Sequence, residues 1–257
     1  MVNFNGYRSN IWQIKYDRRV NAALIQSSLL VSSIPDSFNA LKKHKDLESV
    51  IIPETGCFIN SHHDIVNTHS DNKKTFNLLW VGKFDFRKRL DIALHTVAQL
   101  KDKDIILKVY GTGNDVQKVE AQSLVKTLGI ENKVMFMGSL PNEEVKKAML
   151  KADIFFFTSV NEDTSTVVLE AVSNSLPVVC FDCCGMAAVI DDRVGRKIPL
   201  SNPKQSVKDF AREISRLYDN RELLSAMSAN CFERAKELSW ENKANKMVDL
   251  YRNVLAK

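Results

Sequence analysis

No window of the 257 residues holds the ~18 uninterrupted apolar positions of a membrane span. The opening residues, Met1 to Asn5, also lack the basic-then-apolar layout of an export signal. Together these absences predict a cytoplasmic protein. Cysteine is sparse and odd in number: Cys57, Cys180, Cys183, Cys184 and Cys231. Without an export signal these residues read as reduced thiols, not as a disulfide framework. Cys180, Cys183 and Cys184 crowd together, but no second Cys or His pair lies at zinc-ligand spacing. No metal site is expected, and the three read as small core or loop residues. A large excess of one charge is missing too. The 36 Lys and Arg against 31 Asp and Glu leave a formal charge of +5, mild for a nucleic-acid binder and suited to an anionic small ligand or an anionic membrane surface. No nucleic-acid partner is expected.

What is present is an ordinary globular composition, 44% hydrophobic and 26% charged, with length for one large or two small domains. From Asn77 onward, short apolar runs alternate with helical patterns, the one-dimensional signature of a parallel sheet covered by helices. The expected strands are Leu78 to Val81, Ile105 to Tyr110, Val134 to Met137, Ile154 to Phe157, Val178 to Phe181 and Arg196 to Ile198. Lys88 to Leu100, Val116 to Leu128, Asn142 to Leu150 and Val167 to Ser173 read as the intervening helices. The fold class expected is α/β, a doubly wound Rossmann-like parallel sheet. Consecutive helices follow over Pro203 to Tyr218, Arg221 to Glu237 and Trp240 to Leu255, with Ser239 as N-cap of the last.

The front of the chain reads as a helix over Lys15 to Gln26, a strand over Ser28 to Ser32, a helix over Asp36 to Lys43 and a strand over Val50 to Ile52. A polar stretch, Pro53 to Lys74, with Gly56, His62, His63 and His69, reads as a linker. Two strands and two helices are near the size at which independent folding is marginal. This piece either packs on the larger domain, or it is a partial second α/β domain whose partners are missing from the chain.

In open α/β sheets ligands bind at the carboxyl ends of the strands, which directs attention to four loops. After the first strand, Gly82-Lys83-Phe84-Asp85-Phe86-Arg87-Lys88-Arg89 places four cations just before a helix, a trap suited to a pyrophosphate or else a solvated basic turn. Gly111-Thr112-Gly113 allows close backbone approach but lacks the third glycine of a dinucleotide fingerprint. Phe136-Met137-Gly138 again sets a glycine after a strand. The fourth loop carries Glu162 and, about one turn into the next helix, Glu170. Carboxylates accept hydrogen bonds from vicinal hydroxyls. Two of them beside a phosphate trap suit a ligand with two diols and a pyrophosphate, the shape of a nucleoside diphosphate sugar. The helix beginning near Thr166 aims its N-terminus at the phosphates.

Residues 77 to 256 resemble the C-terminal, nucleotide-binding domain of the retaining glycosyltransferases of family 4, which have the GT-B fold. The resemblance rests on Gly82-Lys83 with Arg87-Lys88, on Gly111-Thr112-Gly113, on Val134 through Gly138, on Glu162 followed by Glu170-Ala171, and on Pro177-Val178-Val179 with Gly185. It implies that Glu162 binds the donor sugar, that Glu170 binds the ribose, and that Lys83 and Lys88 bind the pyrophosphate and stabilise the leaving group. It further places the amides around Asp163, Thr164, Ser165 and Thr166 near the sugar and phosphates, and Gly82, Gly111, Gly113, Phe136 and Gly138 around the nucleotide. The family more often has Arg at Lys83, glycine around Asp163 to Ser165, Gly at Ser175 and Glu at Ala188. The donor implied is of UDP or GDP type, with no other cofactor and no metal, and Asp191-Asp192 reads as a loop.

The front residues then resemble the closing strand, helix and strand of the family's N-terminal, acceptor-binding domain. The implied division is 1–56 for that remnant, 57–76 for the linker, 77–238 for the nucleotide-sugar-binding domain and 239–257 for a helix crossing back. The expected function is sugar transfer, with retention of configuration, to a glycan or lipid-linked acceptor in surface polysaccharide biosynthesis. The basic residues Lys15, Arg18, Arg19, Lys42, Lys43 and Lys45 suggest peripheral contact at the inner face of the plasma membrane, though solvated helix faces give the same pattern. Two alternatives stand beside it: a non-catalytic nucleotide-sugar-binding subunit whose partner supplies the acceptor domain, and a sugar-nucleotide epimerase of related architecture.

Overall fold

The computed structural model describes residues 12–59, 75–163 and 165–256. The front of the chain forms helix α1 (Arg18–Gln26), strand β1 (Val31–Ser32), helix α2 (Pro35–Lys45) and strand β2 (Val50–Ile51). Asp17 caps α1, its carboxylate accepting the Arg19 and Val20 amides, so the helix expected from Lys15 is broken there: residues 12–16 are helical and α1 starts anew at Arg18. Strands β1 and β2 pair in parallel, Val31 with Val50 and Ser32 with Ile51. They are shorter than expected, and only Ser32 of their four residues is buried.

The larger sheet comprises β3 (Phe76–Val81), β4 (Ile105–Tyr110), β5 (Val134–Gly138), β6 (Ile154–Phe157), β7 (Val178–Phe181) and β8 (Gly195–Ile198). Every adjacent pair is parallel, in the order β5-β4-β3-β6-β7-β8. Central parallel strands are covered on both faces and read as continuous apolar runs; Ile154, Phe155, Phe156 and Phe157 are accordingly all buried. Helices α3 (Leu90–Gln99), α4 (Asp115–Leu128), α5 (Asn142–Met149), α6 (Thr166–Ser173) and α7 (Cys184–Val189) follow the strands. The strand walk reverses direction between β3 and β6. Right-handed crossovers therefore place α3 and α4 on one face and α6 and α7 on the other. Helix α8 (Pro203–Asp219) packs on α3, and α9 (Arg221–Glu237) packs on α6. Phe210 of α8 meets Phe156 and Phe181 edge-on, at 5.1 and 4.8 Å. The last helix, α10 (Trp240–Leu255), is capped by Ser239, which accepts the Asn242 amide.

Three details sharpen the sequence reading. Cys180, Cys183 and Cys184 are buried in the core, as expected, but a helix that was not expected starts there: Cys183 is the N-cap of α7 and Cys184 its first residue, at φ 54°, and the Cys184 amide donates to Asp36 Oδ2 of α2 at 3.1 Å. The front unit thus packs on the larger domain through α2 and α7. The linker boundaries also shift. Cys57 is buried and bridges to Ser239, while Phe76 is fully buried in β3. Residues 60–74, including His62, His63 and His69, lie outside the described residues. Finally, Lys243 of α10 donates to the carbonyls of Pro53 and Thr55, fastening the last helix to the end of the front unit.

Candidate functional site

In open α/β sheets a reversal of strand order, here between β3 and β6, sets the ligand crevice at the carboxyl ends of the strands. Gly82, Gly111 and Gly138 line up across three of the loops there. The Gly82 amide donates to Tyr110 O at 3.0 Å, and the Gly111 amide to Gly138 O at 2.8 Å. Gly111 has φ +135°, and a Cβ on it would stand 1.8 Å from Gly82 O. No side chain fits there, so this floor of the crevice is bare backbone. Gly113 abuts Phe84, which lies 6.0 Å from the ring of Phe136. Asn114 and Gln117 form a reciprocal capping box that fixes the start of α4 beside the loop.

The basic loop before α3 divides in two. Asp85 takes the Arg87 guanidinium at 2.9 Å and accepts the amides of Arg87 and Lys88. Burial alone would raise the Asp85 carboxyl, but these hydrogen bonds outweigh it and hold it below the ordinary carboxylate range. Arg89, at φ 50°, makes a two-point pair with Asp91 at 2.9 and 2.7 Å. Of the four cations in the loop, Arg87 and Arg89 are thus paired locally. Lys83 is exposed and makes no ion pair among the described residues. Lys88 turns inward instead. Its Nζ lies 2.5 Å from Glu162 Oε1 and 4.9 Å from the ring centre of Phe157.

Lys88 and Glu162 meet because two polar residues tie their loops together. Thr158 and Ser159 directly follow the all-apolar strand β6, and both are fully buried. Thr158 Oγ1 accepts the Trp80 indole N–H at 3.0 Å and donates toward Lys88 O and Arg89 O, at 2.8 and 2.9 Å. Ser159 Oγ lies 3.1 Å from Arg87 O and 2.9 Å from Glu162 Oε1, and the Val160 amide also donates to Arg87 O. The sequence reading missed both residues. The available signal was a Thr-Ser pair at the carboxyl end of a strand with no other polar residue.

Glu170 stands in the second turn of α6, half-buried, with Asn142 Nδ2 at 3.4 Å from its Oε1. Ser165 is the N-cap of α6, yet no side chain caps the helix and its first turn holds no acidic residue. Its leading amides therefore suit an anion. Thr166 opens the helix and is exposed, Asp163 is exposed in the loop, and Thr164 lies outside the described residues. Ser175 has φ 56°, a left-handed conformation at the position where the family usually has Gly. The five cysteines are buried free thiols, and burial pushes Cys180 up to about 12. Asp191 caps its own loop by accepting the Arg193 amide at 3.0 Å.

The family model for glycosyl transferases group 1 matches residues 63–234, well over half of the chain. The chain belongs to the group 1 glycosyl transferases. Among the relatives of this glycosyl transferase is the D-inositol 3-phosphate glycosyltransferase of Streptomyces bingchenggensis, 29% identical over 183 residues, 67% of this chain and 39% of the relative. The 2-deoxystreptamine glucosyltransferase of Streptomyces kanamyceticus is 28% identical over 183 residues, 69% of this chain and 46% of the relative. Among solved structures, Anabaena Alr3699/HepE in complex with UDP superposes with a TM-score of 0.72 at 18% identity, covering 91% of this chain and 67% of that one. The pneumococcal O-GlcNAc transferase GtfA in complex with UDP and GlcNAc gives 0.65 at 19%, covering 96% and 47%. The fold is thus the α/β architecture shared by these GT-B glycosyltransferases. The chain spans about two fifths of the length of the first curated relatives it matches.

Proposed function

We propose that this group 1 glycosyl transferase binds a nucleoside diphosphate sugar, of UDP or GDP type, in the crevice between β3 and β6, and that it serves transfer of the sugar to a glycan or lipid-linked acceptor. The observation that carries this reading is the convergence of an inward lysine, a carboxylate and an uncapped helix start on one crevice. Lys88 and the α6 amides meet the pyrophosphate, with Lys83 free to reach it from solvent. Glu170 accepts the ribose hydroxyls and Glu162 those of the sugar. No metal cofactor is part of this proposal.

The demanding step is departure of the nucleoside diphosphate from an anomeric carbon that gains oxocarbenium character. The C–O bond to the leaving phosphate breaks, its electron pair passes to the phosphate oxygen, and Lys88 and Lys83 stabilise that charge. One preorganised contact of this kind is worth ~3–4 kcal/mol. Family 4 membership and retention of configuration are carried over from the motif resemblance, as is a role in surface polysaccharide assembly. A cytoplasmic site with peripheral contact at the inner face of the membrane belongs to the same proposal. That contact would run through Lys15, Arg18 and Arg19, all exposed, whereas Lys42 is already engaged by Asp46 and Glu48.

A second reading, a binding subunit that needs a partner for the acceptor side, draws on the front unit, whose two-stranded sheet buries one strand residue in four. Transfer by the chain alone would set it aside. Calorimetry with UDP and GDP tests the main reading. One of the two should bind, and Lys88→Ala and Glu170→Ala should each weaken binding about tenfold or more, the weight of a charged hydrogen bond. Failure of the wild-type chain to bind either nucleotide contradicts it.

A further inference from the structure

We propose that Glu162 is the internal counter-ion of Lys88 in the crevice, and that this pairing makes the site prefer the intact sugar donor over the nucleoside diphosphate left after transfer. The inference rests on the nucleotide-sugar reading above.

Lys88 and Glu162 are held 2.5 Å apart with side chains only 16% and 17% exposed. Solvent and salt screen such a pair weakly, and removing one member leaves a poorly hydrated charge behind. A phosphate that recruits Lys88 therefore takes the cation away from Glu162. Among the described residues, the hydrogen-bond donor that remains for the carboxylate is Ser159 Oγ at 2.9 Å, with the charge of Arg87 acting from further off. That hydroxyl has a single hydrogen, and Arg87 O competes for it at 3.1 Å. The carboxylate is then under-satisfied and stands beside a new anion. An intact sugar nucleotide resolves both deficits, because its phosphate takes Lys88 while a sugar hydroxyl donates to Glu162. A bare nucleoside diphosphate resolves only the first. The ion pair thus penalises the product selectively and favours its release.

Glu162→Gln removes the charge, keeps the shape and lets the amide donate to Ser159 Oγ, which is then free to serve Arg87 O. Titration calorimetry of the wild type and this variant with UDP, GDP, UDP-glucose and GDP-mannose tests the inference. The variant should bind the nucleoside diphosphate about five- to tenfold tighter than wild type, and its preference for the sugar nucleotide should shrink. Ser159→Ala, which takes away the one hydroxyl among the described residues that hydrogen-bonds Glu162, should shift the balance the other way. It should weaken nucleoside diphosphate binding more than sugar nucleotide binding, and this variant decides the matter if Glu162→Gln does not fold. A wild type that binds, with Glu162→Gln binding the diphosphate no tighter, overturns the inference and leaves the proposed function standing. No binding of any of the four by wild type or variants overturns both.

Discussion

At Ser175 an L-residue occupies a left-handed backbone that costs roughly 1–2 kcal/mol without the help of a glycine. The position is 6% exposed, and its carbonyl accepts Ser228 Oγ at 2.6 Å, which holds the turn in place. Ser175→Gly keeps that carbonyl and relieves the strain, less the extra entropy a glycine loses on folding. We expect a gain of roughly 0.5–1 kcal/mol, read as a higher urea midpoint at unchanged slope; an unchanged or lower midpoint contradicts it. Residues of this kind also mark how far the sequence could be read. Glu162, Glu170 and Lys88 were legible because charged residues after strands have few structural reasons to be there. The capture of Lys88 by Glu162 was not, because it depends on Thr158 and Ser159 joining two loops about seventy positions apart in the chain. Nor was the neutralisation of Arg87 and Arg89, which turns on side-chain geometry within the loop.

Among the elements, β4, β6, β7, α9 and α10 fall on their expected limits, and most others within one or two residues. Buried parallel strands announce themselves by continuous apolar runs, and α8 by a broad apolar stripe of Val207, Phe210, Ala211, Ile214 and Leu217. Helix α7 gave no such signal: it has six residues, and it starts at a cysteine in a left-handed conformation before a glycine. The first front strand was overestimated because Leu29 and Leu30 extend the apolar run beyond the two paired residues, although Leu30 O still accepts the Val50 amide at 2.9 Å. Helix α4 makes the sharpest prediction at this scale. Its capping box satisfies the Gln117 amide through Asn114 Oδ1 and the Asn114 amide through Gln117 Oε1, both at 2.9 Å. Asn114→Ala should cost about 1 kcal/mol in chemical denaturation. A loss below about 0.3 kcal/mol would show that the cap is not what holds the loop.

For the whole molecule, the interface between the C-terminal helices and the sheet is pinned by charge. Arg193 pairs with Glu237 at 2.8 Å and with Asp191 at 2.8 Å, and Arg234 pairs with Glu237 at 2.6 Å while donating to the carbonyls of Val189 and Ala188. The hydrogen bond from Arg193, followed by that from Arg234, lowers the Glu237 carboxyl from 4.5 to about 2. A depressed carboxylate contributes stability that is present above its unfolded value and lost as pH falls through its folded one. Glu237→Gln should therefore be less stable than the parent at neutral pH. The two stability curves should converge as pH falls from 4.5 to about 2; a constant offset across that range contradicts the assignment. At this scale the doubly wound sheet was legible from strand and helix alternation alone. The seating of α2 on α7 was not, since no sequence pattern announces the packing of the two helices or the hydrogen bond from the Cys184 amide to Asp36. The central claim, a nucleotide-sugar site at the β3–β6 reversal, is tested most directly by a crystal structure of the chain soaked with UDP-glucose or GDP-mannose. The account predicts phosphate oxygens within hydrogen-bond distance of Lys88 Nζ and the first amides of α6, with the ribose on Glu170 and Lys88 drawn away from Glu162. A nucleotide bound elsewhere, or with Lys88 still paired to Glu162, would contradict it.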